Sequence, residues 1–468
     1  GQAWPAHVLG NFWSDYRSTD ANGNGLGDAV YRSNGITDSY PLIAAIASFT
    51  VGGSGTPTAA PTVSPTGRPT TTPTGQPTVS PTTRPSITPT PAPTVSPTAR
   101  PTATPTPSTG AIQIDPTVPS NAVHVASQAD INGLASGANA VLTADVSSLT
   151  LSKAVSLFGN GHKVSSITLA ASGVRVSGVA ANAIAVSAGG TTVDHCTVTQ
   201  TGSYGIRVTK TDSVRILSNT VNGPRSSTSF GIYATNTTNV VIDGNTVTAA
   251  YMGIDLYGAS NPRVSYNYIG NVAGFRQGID IYAESVSGGD FANNEIMYSP
   301  YDGTGAAQDW DGMGFRYLEG TTIENNKIGG HYYALKVYLS NNVLIQGNNL
   351  YQVGSLRTGF YDSNLVVRNN KVSGQLGTQS VGLYINDGIY NSRYENNEVW
   401  NCNYGVQVSH YPTGTRYLEG RPGTPCSYIY LTNNYFHDNK VALGIGDKGA
   451  TIESGNTFSN NGVIRNMY

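Results

Sequence analysis

A segment near the N-terminus carries oxygen-bearing side chains at the spacing of a calcium loop. Asp20, Asn22, Asn24 and Asp28 fit positions 1, 3, 5 and 9 of such a loop, and the carbonyl of Leu26 falls at position 7. The twelfth position holds a tyrosine instead of the bidentate glutamate, which excludes an EF-hand. The alternative is an ion-free turn rich in Gly and Asn. We expect calcium, because two acids with regular oxygen spacing exceed what a turn requires.

Charged residues also recur at one position of short strands in the C-terminal part of the chain. These strands begin with glycine and alternate apolar and polar residues, as in Gly-Ile-Asp-Leu and Gly-Ile-Asp-Ile. Stacking would make Asp255 and Asp280 neighbours, which is unfavourable unless a cation or an arginine compensates. With Arg316 and Lys336, the two aspartates form either a candidate catalytic strip of acids and bases or a solvated charged face in which Asp280 pairs with Arg316. We favour the solvated face. The predicted outward column is Arg207, Tyr233, Asp255, Asp280, Arg316, Lys336, Tyr361, Tyr384 and Gln407.

Cysteines and one sequon offer further modification sites. Cys402 and Cys426 flank one long loop and are either a disulfide, which secretion permits, or two separate buried thiols. No CxxC pair is present, so the usual zinc pattern is absent. Asn236 opens an Asn-Thr-Thr sequon and is a candidate for glycosylation.

Composition limits the partners. The 468 residues include 26 basic and 28 acidic ones, a balance that argues against nucleic acid as a partner. The longest apolar stretch, residues 42–51, is far short of the roughly 20 residues of a membrane span. The chain begins with Gly1, so either a leader has been removed or the sequence is a fragment.

The middle of the chain is a linker. Residues 51–110 are dominated by Pro, Thr and Ser, and 16-residue units begin at Ala60, Gln76 and Ala92. Such a segment cannot bury a core, stays extended over roughly 150 Å, and is typical of O-glycosylated extracellular stalks. We therefore predict three parts, namely a cap segment at 1–50, the linker at 51–110 and a repeat domain at 111–468.

The repeat domain is organised by asparagines that recur with a basic step of 22 residues. A unit of this length, with short strands and Gly/Asn corners, is one coil of a right-handed parallel β-helix, a pectate-lyase-like solenoid of all-β class. Leucine-rich repeats and propeller blades do not fit the composition or the period. About 15 coils would form a rod of ~70 Å, in which stacked amides bond to one another as an asparagine ladder. The repeating asparagines are Asn219, Asn245, Asn267, Asn294, Asn326, Asn348, Asn370, Asn397, Asn434 and Asn456, with Cys196 at the equivalent position of an earlier coil.

The first 50 residues resemble the closing segment of NosD-type β-helix proteins, which are common among surface proteins of methanogenic archaea. The resemblance rests on Gly-Asn-Phe-Trp-Ser-Asp-Tyr at 10–16, the acidic turn at 20–28 and Asp-Ser-Tyr-Pro-Leu at 38–42. The coils of 111–468 resemble the same broad family. In that family the closing segment follows the last coil, whereas here it comes first.

The displaced segment leads to a functional expectation. We expect an extracellular structural protein that assembles head-to-tail, with the cap segment docking on the end of a neighbouring β-helix. The resemblance also implies two alternatives. Because β-helix polysaccharide lyases hold calcium with acids and use Arg or Lys as a base, the strip around Asp280 is the best enzyme candidate. A third possibility is an adhesin that binds surface glycans. Aromatic residues of two insertion loops, one ending at Asp309, Trp310 and Asp311, suit sugar or subunit contacts. The expected docking residues are Trp4, Phe12, Trp13, Tyr16 and Tyr40.

Overall fold

The computed structural model describes residues 31–33, 36–38, 110–224, 226, 228–248, 250–270, 279–297, 311–374, 380–410, 422–447 and 449–467. The chain divides into two compact units, residues 1–98 and 99–468. In the first unit, β1 (Tyr31–Ser33) and β2 (Ile36–Asp38) pair antiparallel. The calcium loop, the aromatic docking residues and the linker lie outside the described residues and remain predictions.

The second unit is a parallel β-helix, as predicted, and all but the first coils pass through three sheets. Sheet A contains 15 parallel strands, which matches the expected number of coils. Its strands are β3 (Val123–Val125), β4 (Asn139–Leu142), β6 (Ser156–Phe158), β8 (Arg175–Ser177), β10 (Thr192–Asp194), β13 (Arg215–Leu217), β16 (Val241–Asp243), β19 (Arg263–Ser265), β22 (Asp290–Ala292), β25 (Thr322–Glu324), β28 (Leu344–Gln346), β31 (Val366–Arg368), β34 (Tyr390–Glu395), β37 (Ser427–Thr432) and β40 (Thr451–Ser454).

Sheet B follows sheet A along each coil after a two-residue corner in most coils. Its strands are β11 (Thr197–Thr199), β14 (Thr220–Asn222), β17 (Thr246–Thr248), β20 (Tyr268–Gly270), β23 (Glu295–Met297), β26 (Lys327–Gly329), β29 (Asn349–Tyr351), β32 (Lys371–Ser373), β35 (Glu398–Trp400), β38 (Tyr435–His437) and β41 (Thr457–Ser459).

Sheet C completes each coil with longer strands. Its strands are β12 (Tyr204–Thr209), β15 (Phe230–Thr235), β18 (Met252–Tyr257), β21 (Ile279–Ser287), β24 (Asp311–Glu319), β27 (Tyr333–Tyr338), β30 (Ser355–Gly359), β33 (Val381–Asn386), β36 (Tyr404–Ser409), β39 (Val441–Ile445) and β42 (Val463–Met467). In the first coils, β5 (Val146–Leu151), β7 (Lys163–Leu169) and β9 (Ala180–Val186) stack on one another, and β9 pairs with both β11 and β12.

The interior is filled by one apolar side chain from the middle of each short strand. In sheet B, Val221, Val247, Ile269, Ile296 and Ile328 stack in register and are fully buried. Burial of such a side chain contributes roughly 1.5–3 kcal/mol, so the stack is the main source of stability. No coil can bury these residues alone, which explains why the repeat must be continuous.

A short helix lies at the N-terminal end of the β-helix. Helix α1 (Gln128–Gly133) is capped by Ser127, whose hydroxyl accepts from the Asp130 amide, and it buries Ile131 in the core. Within the described residues, no helix has the length and apolar character needed to cross a membrane.

The predicted asparagine ladder is present at the corner between sheets A and B. Nδ2 of Asn326 donates to Oδ1 of Asn348 at 2.9 Å and to the Phe291 carbonyl at 2.8 Å, and its backbone amide donates to the same Oδ1 at 3.0 Å. The residue before each ladder asparagine has positive φ, for example 68° at Gly244 and 54° at Asn325. Gly and Asn adopt that conformation most readily, which explains why they often precede the ladder residue. Hydrogen bonds of 2.9–3.1 Å between side-chain amides connect all ten asparagines from Asn219 to Asn456.

The three cysteines are free and buried, and no disulfide joins Cys402 and Cys426 in the structure. The Cys402 thiol donates to the Trp400 carbonyl at 3.3 Å and the Cys426 thiol to the Ser409 carbonyl at 3.8 Å, so each occupies its own site in the wall. Cys196 begins the ladder, with its amide donating to Oδ1 of Asn219 at 2.9 Å. The structure therefore has the separate thiols of the second alternative.

The segment 110–117, here called the strap, lies along the outside of sheet A. The amide of Ile112 donates to Oδ1 of Asp243 at 2.6 Å, and Nη2 of Arg175 donates to the Asp115 carbonyl at 2.5 Å. Asp243 and Arg175 are three coils apart, so the strap runs along the axis of the rod. The strap lies over one column of aligned positions in sheet A. The side chains of this column are almost fully buried, although the alternation along each strand points them outward. That column is Ser177, Asp194, Leu217, Asp243 and Ser265.

Candidate functional site

Strand pairing in sheet C sets which side chains share the outer surface. The column of aligned outward positions confirms six of the predicted members, including Asp255 and Lys336, and corrects the other three. Asp280 is shifted because Met252 aligns with Ile279, which places Asp280 opposite Gly253, at the strand's leading-glycine position. Arg316 aligns with Glu284 in a neighbouring column. Tyr361 lies beyond the end of its strand, and Arg357 occupies the expected position. The observed column is Arg207, Tyr233, Asp255, Tyr282, Gly314, Lys336, Arg357, Tyr384 and Gln407.

Asp280 therefore points into the β-helix. It is 4% exposed, and its Oδ2 lies 2.7 Å from Nε2 of His331, which is 2% exposed. Burial raises the pKa of Asp280, while the histidine opposes that rise. The predicted salt bridge with Arg316 is wrong, because the aspartate is paired with a histidine on the inner side of the sheet.

Asp255 faces outward but is only 7% exposed, between Tyr233 and Tyr282 of the adjacent coils. Burial raises its pKa to about 7, and the negative charge of Glu284 adds to the rise. Within the described residues, the carboxyl group of Asp255 has no hydrogen bond or ion pair. A carboxyl group that titrates near neutral pH in such a position is suited to donating or accepting a proton.

The column has no side chain at Gly314, which is buried between Tyr282 and Lys336. A Cβ at this glycine would lie 3.3 Å from Oδ2 of Asp311 and 3.4 Å from Cδ2 of Tyr282. Asp311 is 2% exposed and forms an ion pair with Lys336. Its Oδ1 is buried and has no hydrogen-bond partner in the described part of the chain. Burial raises the pKa of Asp311, and the positive charge of Lys336 is the main opposing influence.

Glu284 and Arg316 are aligned in the column next to that of Gly314. The hydroxyl of Tyr282 donates to Glu284, which is aligned with Arg316 of the next coil. Burial and the adjacent Glu284 raise the pKa of Tyr282, which keeps the phenol protonated. In the column, Tyr282 lies between Asp255 and Gly314.

Further along the column, an open pocket of about 310 Å³ has mainly aromatic walls. Its only charged residue is Arg357, whose guanidinium lies 4.7 Å from the ring centre of Tyr384 and 5.1 Å from that of Tyr333. Arg357 also donates through Nη1 to the Tyr333 hydroxyl at 2.8 Å and through Nε to Asn386 at 3.0 Å. The pocket is lined by Tyr332, Tyr333, Arg357, Val381, Tyr384, Asn403, Tyr404 and Gln407.

Sequence reasoning missed Arg357 and assigned Asp311 to an insertion loop. The strand that carries Arg357 has no leading glycine, so the sequence gives no start signal for its register. Asp311 is the first residue of β24. The rest of that loop lies outside the described residues, as does most of the loop between Cys402 and Cys426.

Other candidate sites are less developed. Asn236 is exposed in a turn, where its side chain donates to the Thr235 hydroxyl at 3.3 Å, so the glycosylation prediction remains open. Among the described residues, no group of three or more His, Cys, Asp or Glu side chains is placed to hold a metal ion.

Several solved structures have a similar fold. The Dettilon tailspike protein is 16% identical with a TM-score of 0.42, and the match covers 66% of this chain and 62% of the tailspike, less than two thirds of its length. DFA-IIIase from Arthrobacter chlorophenolicus A6, in complex with DFA-III, is 13% identical with a TM-score of 0.43, and the match covers 70% of this chain and 93% of the DFA-IIIase chain. The periplasmic alginate epimerase is 13% identical with a TM-score of 0.36, covering 74% and 83%. Likenesses at this level do not support a functional inference.

No curated protein matches the sequence. The family of the right-handed beta helix region matches residues 154–317 and 311–468, which together include more than half of the chain. The matched residues contain sheet C from β12 to β42 and all the site residues described above. The chain belongs to the right-handed β-helix family.

Proposed function

We propose that this protein is an extracellular glycan-binding protein that holds a polysaccharide containing uronic acids along the outer face of sheet C. The observation that carries the proposal is the pocket with four tyrosines around Arg357. Tyrosine rings pack against the apolar faces of sugar rings, and their hydroxyls bond to sugar hydroxyls.

The charge of the pocket supports an acidic sugar. Among its eight lining residues there is one cation, Arg357, and no carboxylate. The guanidinium is fixed by Asn386 and the Tyr333 hydroxyl, so it is preorganised for an anion.

The rod and the linker suit such a role. Strands stacked at ~4.8 Å present a continuous surface along which several sugar units can lie. The Pro/Thr linker is of the kind that extends domains away from a cell surface. This extracellular setting is part of the proposal.

Binding can be tested by affinity electrophoresis through gels that contain polygalacturonate or alginate. We expect retardation of the wild-type protein, and at least about tenfold weaker binding for Tyr404→Ala, equivalent to about 1.4 kcal/mol. The control is Tyr435→Ala, which removes an exposed ring from sheet B. Equal mobility with and without polysaccharide, or equal losses for both variants, would contradict the proposal.

A second candidate function is head-to-tail assembly, in which residues 1–50 dock on the C-terminal end of a neighbouring rod. Seven of the nine exposed large apolar side chains in the described part of the chain belong to the last coils. Such a concentration is typical of a contact surface. The seven are Tyr390, Tyr428, Tyr435, Ile452, Val463, Ile464 and Met467.

Negative-stain microscopy of the full chain tests assembly. We expect filaments that disappear in Ile464→Asp, because a charge on the terminal surface prevents docking. Val123→Asp places the same charge on an exposed valine of the first coil and is the control. Monodisperse single rods at all concentrations of the wild type would exclude this function.

A further inference from the structure

We propose that sheet B provides a second binding site, for a neutral polysaccharide with an extended, β-linked chain. The site is a strip of three side chains, Tyr268, Met297 and Tyr351, here called the sheet B strip. It is separate from the pocket of sheet C and takes a different class of sugar.

The strip follows one column of aligned positions. Gly270, Met297, Gly329 and Tyr351 occupy this column in four successive coils. Tyr268 lies two residues before Gly270 in the same strand, so both residues face the same side of the sheet. The apolar residue in the middle of each strand points into the core, and the strip therefore lies on the outer surface.

The two tyrosine rings lie against the sheet, each over a glycine. A Cβ at Gly270 would lie 2.9 Å from Cε1 and from the hydroxyl oxygen of Tyr268. A Cβ at Gly329 would lie 2.6 Å from Cε2 and from the hydroxyl oxygen of Tyr351. Both glycines are buried and both tyrosines are half-buried, so each ring covers the sheet with one face and turns the other toward solvent.

The backbone does not require glycine at these two positions, because neither Gly270 nor Gly329 has a positive φ. Glycine weakens a strand, and it often marks a place where another group approaches the backbone closely. Here the missing side chains allow the rings to lie flat. Contacts between a ring and a strand glycine also stabilise a sheet, so binding must be measured on variants that remain folded.

Met297 joins the two rings into one surface. It is aligned with both glycines, and the Tyr351 hydroxyl donates to its Sδ at 2.8 Å. The two glycines are two coil steps apart, which corresponds to about 9–10 Å. An extended β-linked chain presents the same face of its sugar rings once per disaccharide, and a disaccharide spans a distance of this size. The apolar faces of alternate sugars can therefore pack on the two tyrosine rings.

The charges beside the strip favour a neutral sugar. In the adjacent column, Nζ of Lys327 lies 2.7 Å from Oε1 of Glu295, and their side chains are 51% and 44% exposed. The pair has no net charge, so it does not attract a polyanion or a polycation. Its polar atoms, and those of exposed Asn349 in the next coil, can bond to sugar hydroxyls.

Affinity electrophoresis of the full chain through gels that contain hydroxyethylcellulose, glycol chitin or soluble starch tests the proposal. We expect retardation by at least one of the two β-linked polymers and none by starch, whose α-linked chain coils. Tyr268→Leu and Tyr351→Leu should each weaken binding by about tenfold or more, because leucine covers the glycine without offering a flat ring. Tyr351→Phe keeps the ring and should bind as the wild type does.

The matched control is Tyr435→Leu, which removes an exposed ring from the same sheet three coils beyond Tyr351 and should not weaken binding. Circular dichroism shows which variants are folded, and either leucine variant of the strip is sufficient if the other does not fold. No retardation by either β-linked polymer, retardation by starch, or equal losses for the control and the strip variants would overturn the inference.

Polygalacturonate gels separate this site from the proposed function. Tyr404→Ala should lose polygalacturonate and keep the neutral polymer, whereas the leucine variants of the strip should do the reverse. Loss of both ligands in one folded variant would mean a single shared site and would overturn the inference. Binding of a neutral polymer without binding of polygalacturonate would overturn the proposed function and leave the sheet B strip intact.

Discussion

His331 and Asp280 are hydrogen-bonded inside the β-helix across an intervening coil, with Nε2 and Oδ2 2.7 Å apart. The coil between them contributes Gly312, where a Cβ would lie 2.6 Å from Cγ2 of Ile328 and 3.4 Å from Nδ1 of His331. The glycine thus keeps the path between the two side chains open. A positive charge on His331 also opposes the rise in the pKa of Asp311 that burial causes.

Breaking this pair should destabilise the rod strongly. Asp280→Ala and His331→Ala each leave one buried polar partner, so we expect each to cost roughly 3–5 kcal/mol. The double variant should cost clearly less than the sum, because neither group is then left alone. Urea denaturation followed by circular dichroism measures all three. Strictly additive effects would show that the two side chains do not interact.

Asp255 should make stability fall as pH rises. Its folded pKa of about 7 is above the unfolded value of 3.8, so the folded state binds the proton more tightly. Its favourable contribution is complete below pH 4 and is lost as pH rises through 7, a change of roughly 4 kcal/mol. The free energy of unfolding of wild type relative to Asp255→Asn should therefore decrease between pH 4 and 8. Parallel pH profiles for the two proteins would mean that Asp255 has an ordinary pKa.

The asparagine ladder should be sensitive to a single substitution. Asn348→Ala removes the side chain that accepts from Asn326 and donates to Asn370 and to the Ile323 carbonyl. At about 1 kcal/mol per bond, with additional cost for buried groups left unpaired, we expect a loss of roughly 3–5 kcal/mol. Asn349→Ala changes the adjacent, exposed residue of β29 and should cost under about 0.5 kcal/mol. Similar denaturation midpoints for both variants would show that the ladder contributes little.

The thiols should be inaccessible in the native protein. Burial raises the pKa of Cys196 and of Cys402 to about 12, so neither forms a reactive thiolate near neutral pH. Titration with Ellman's reagent without a reductant should detect no thiol in the folded protein and three after denaturation. Detection of one thiol after denaturation would reveal a disulfide.

The sequence was sufficient for the coil repeat but not for the complete site. The ladder could be predicted because each asparagine must meet another above it, which fixes the spacing of residues along the chain. The register of β21 could not be predicted from the sequence. Gly278 resembles the glycine that begins the neighbouring strands, but Asp280 is the residue that aligns with those glycines. Insertions before β24 also obscured Asp311, since loop lengths have no periodic signal. The strap is irregular backbone held mainly by single contacts such as Ile112 to Asp243, and nothing local in the sequence predicts such a contact.

The most direct test of glycan binding by sheet C is a crystal structure of the protein with a trigalacturonate or trimannuronate ligand. The account predicts sugar rings over Tyr333, Tyr384 and Tyr404, with a carboxylate directed toward Arg357. A ligand bound only to sheet A or sheet B, or crystals soaked at high ligand concentration that show no sugar on sheet C, would contradict it.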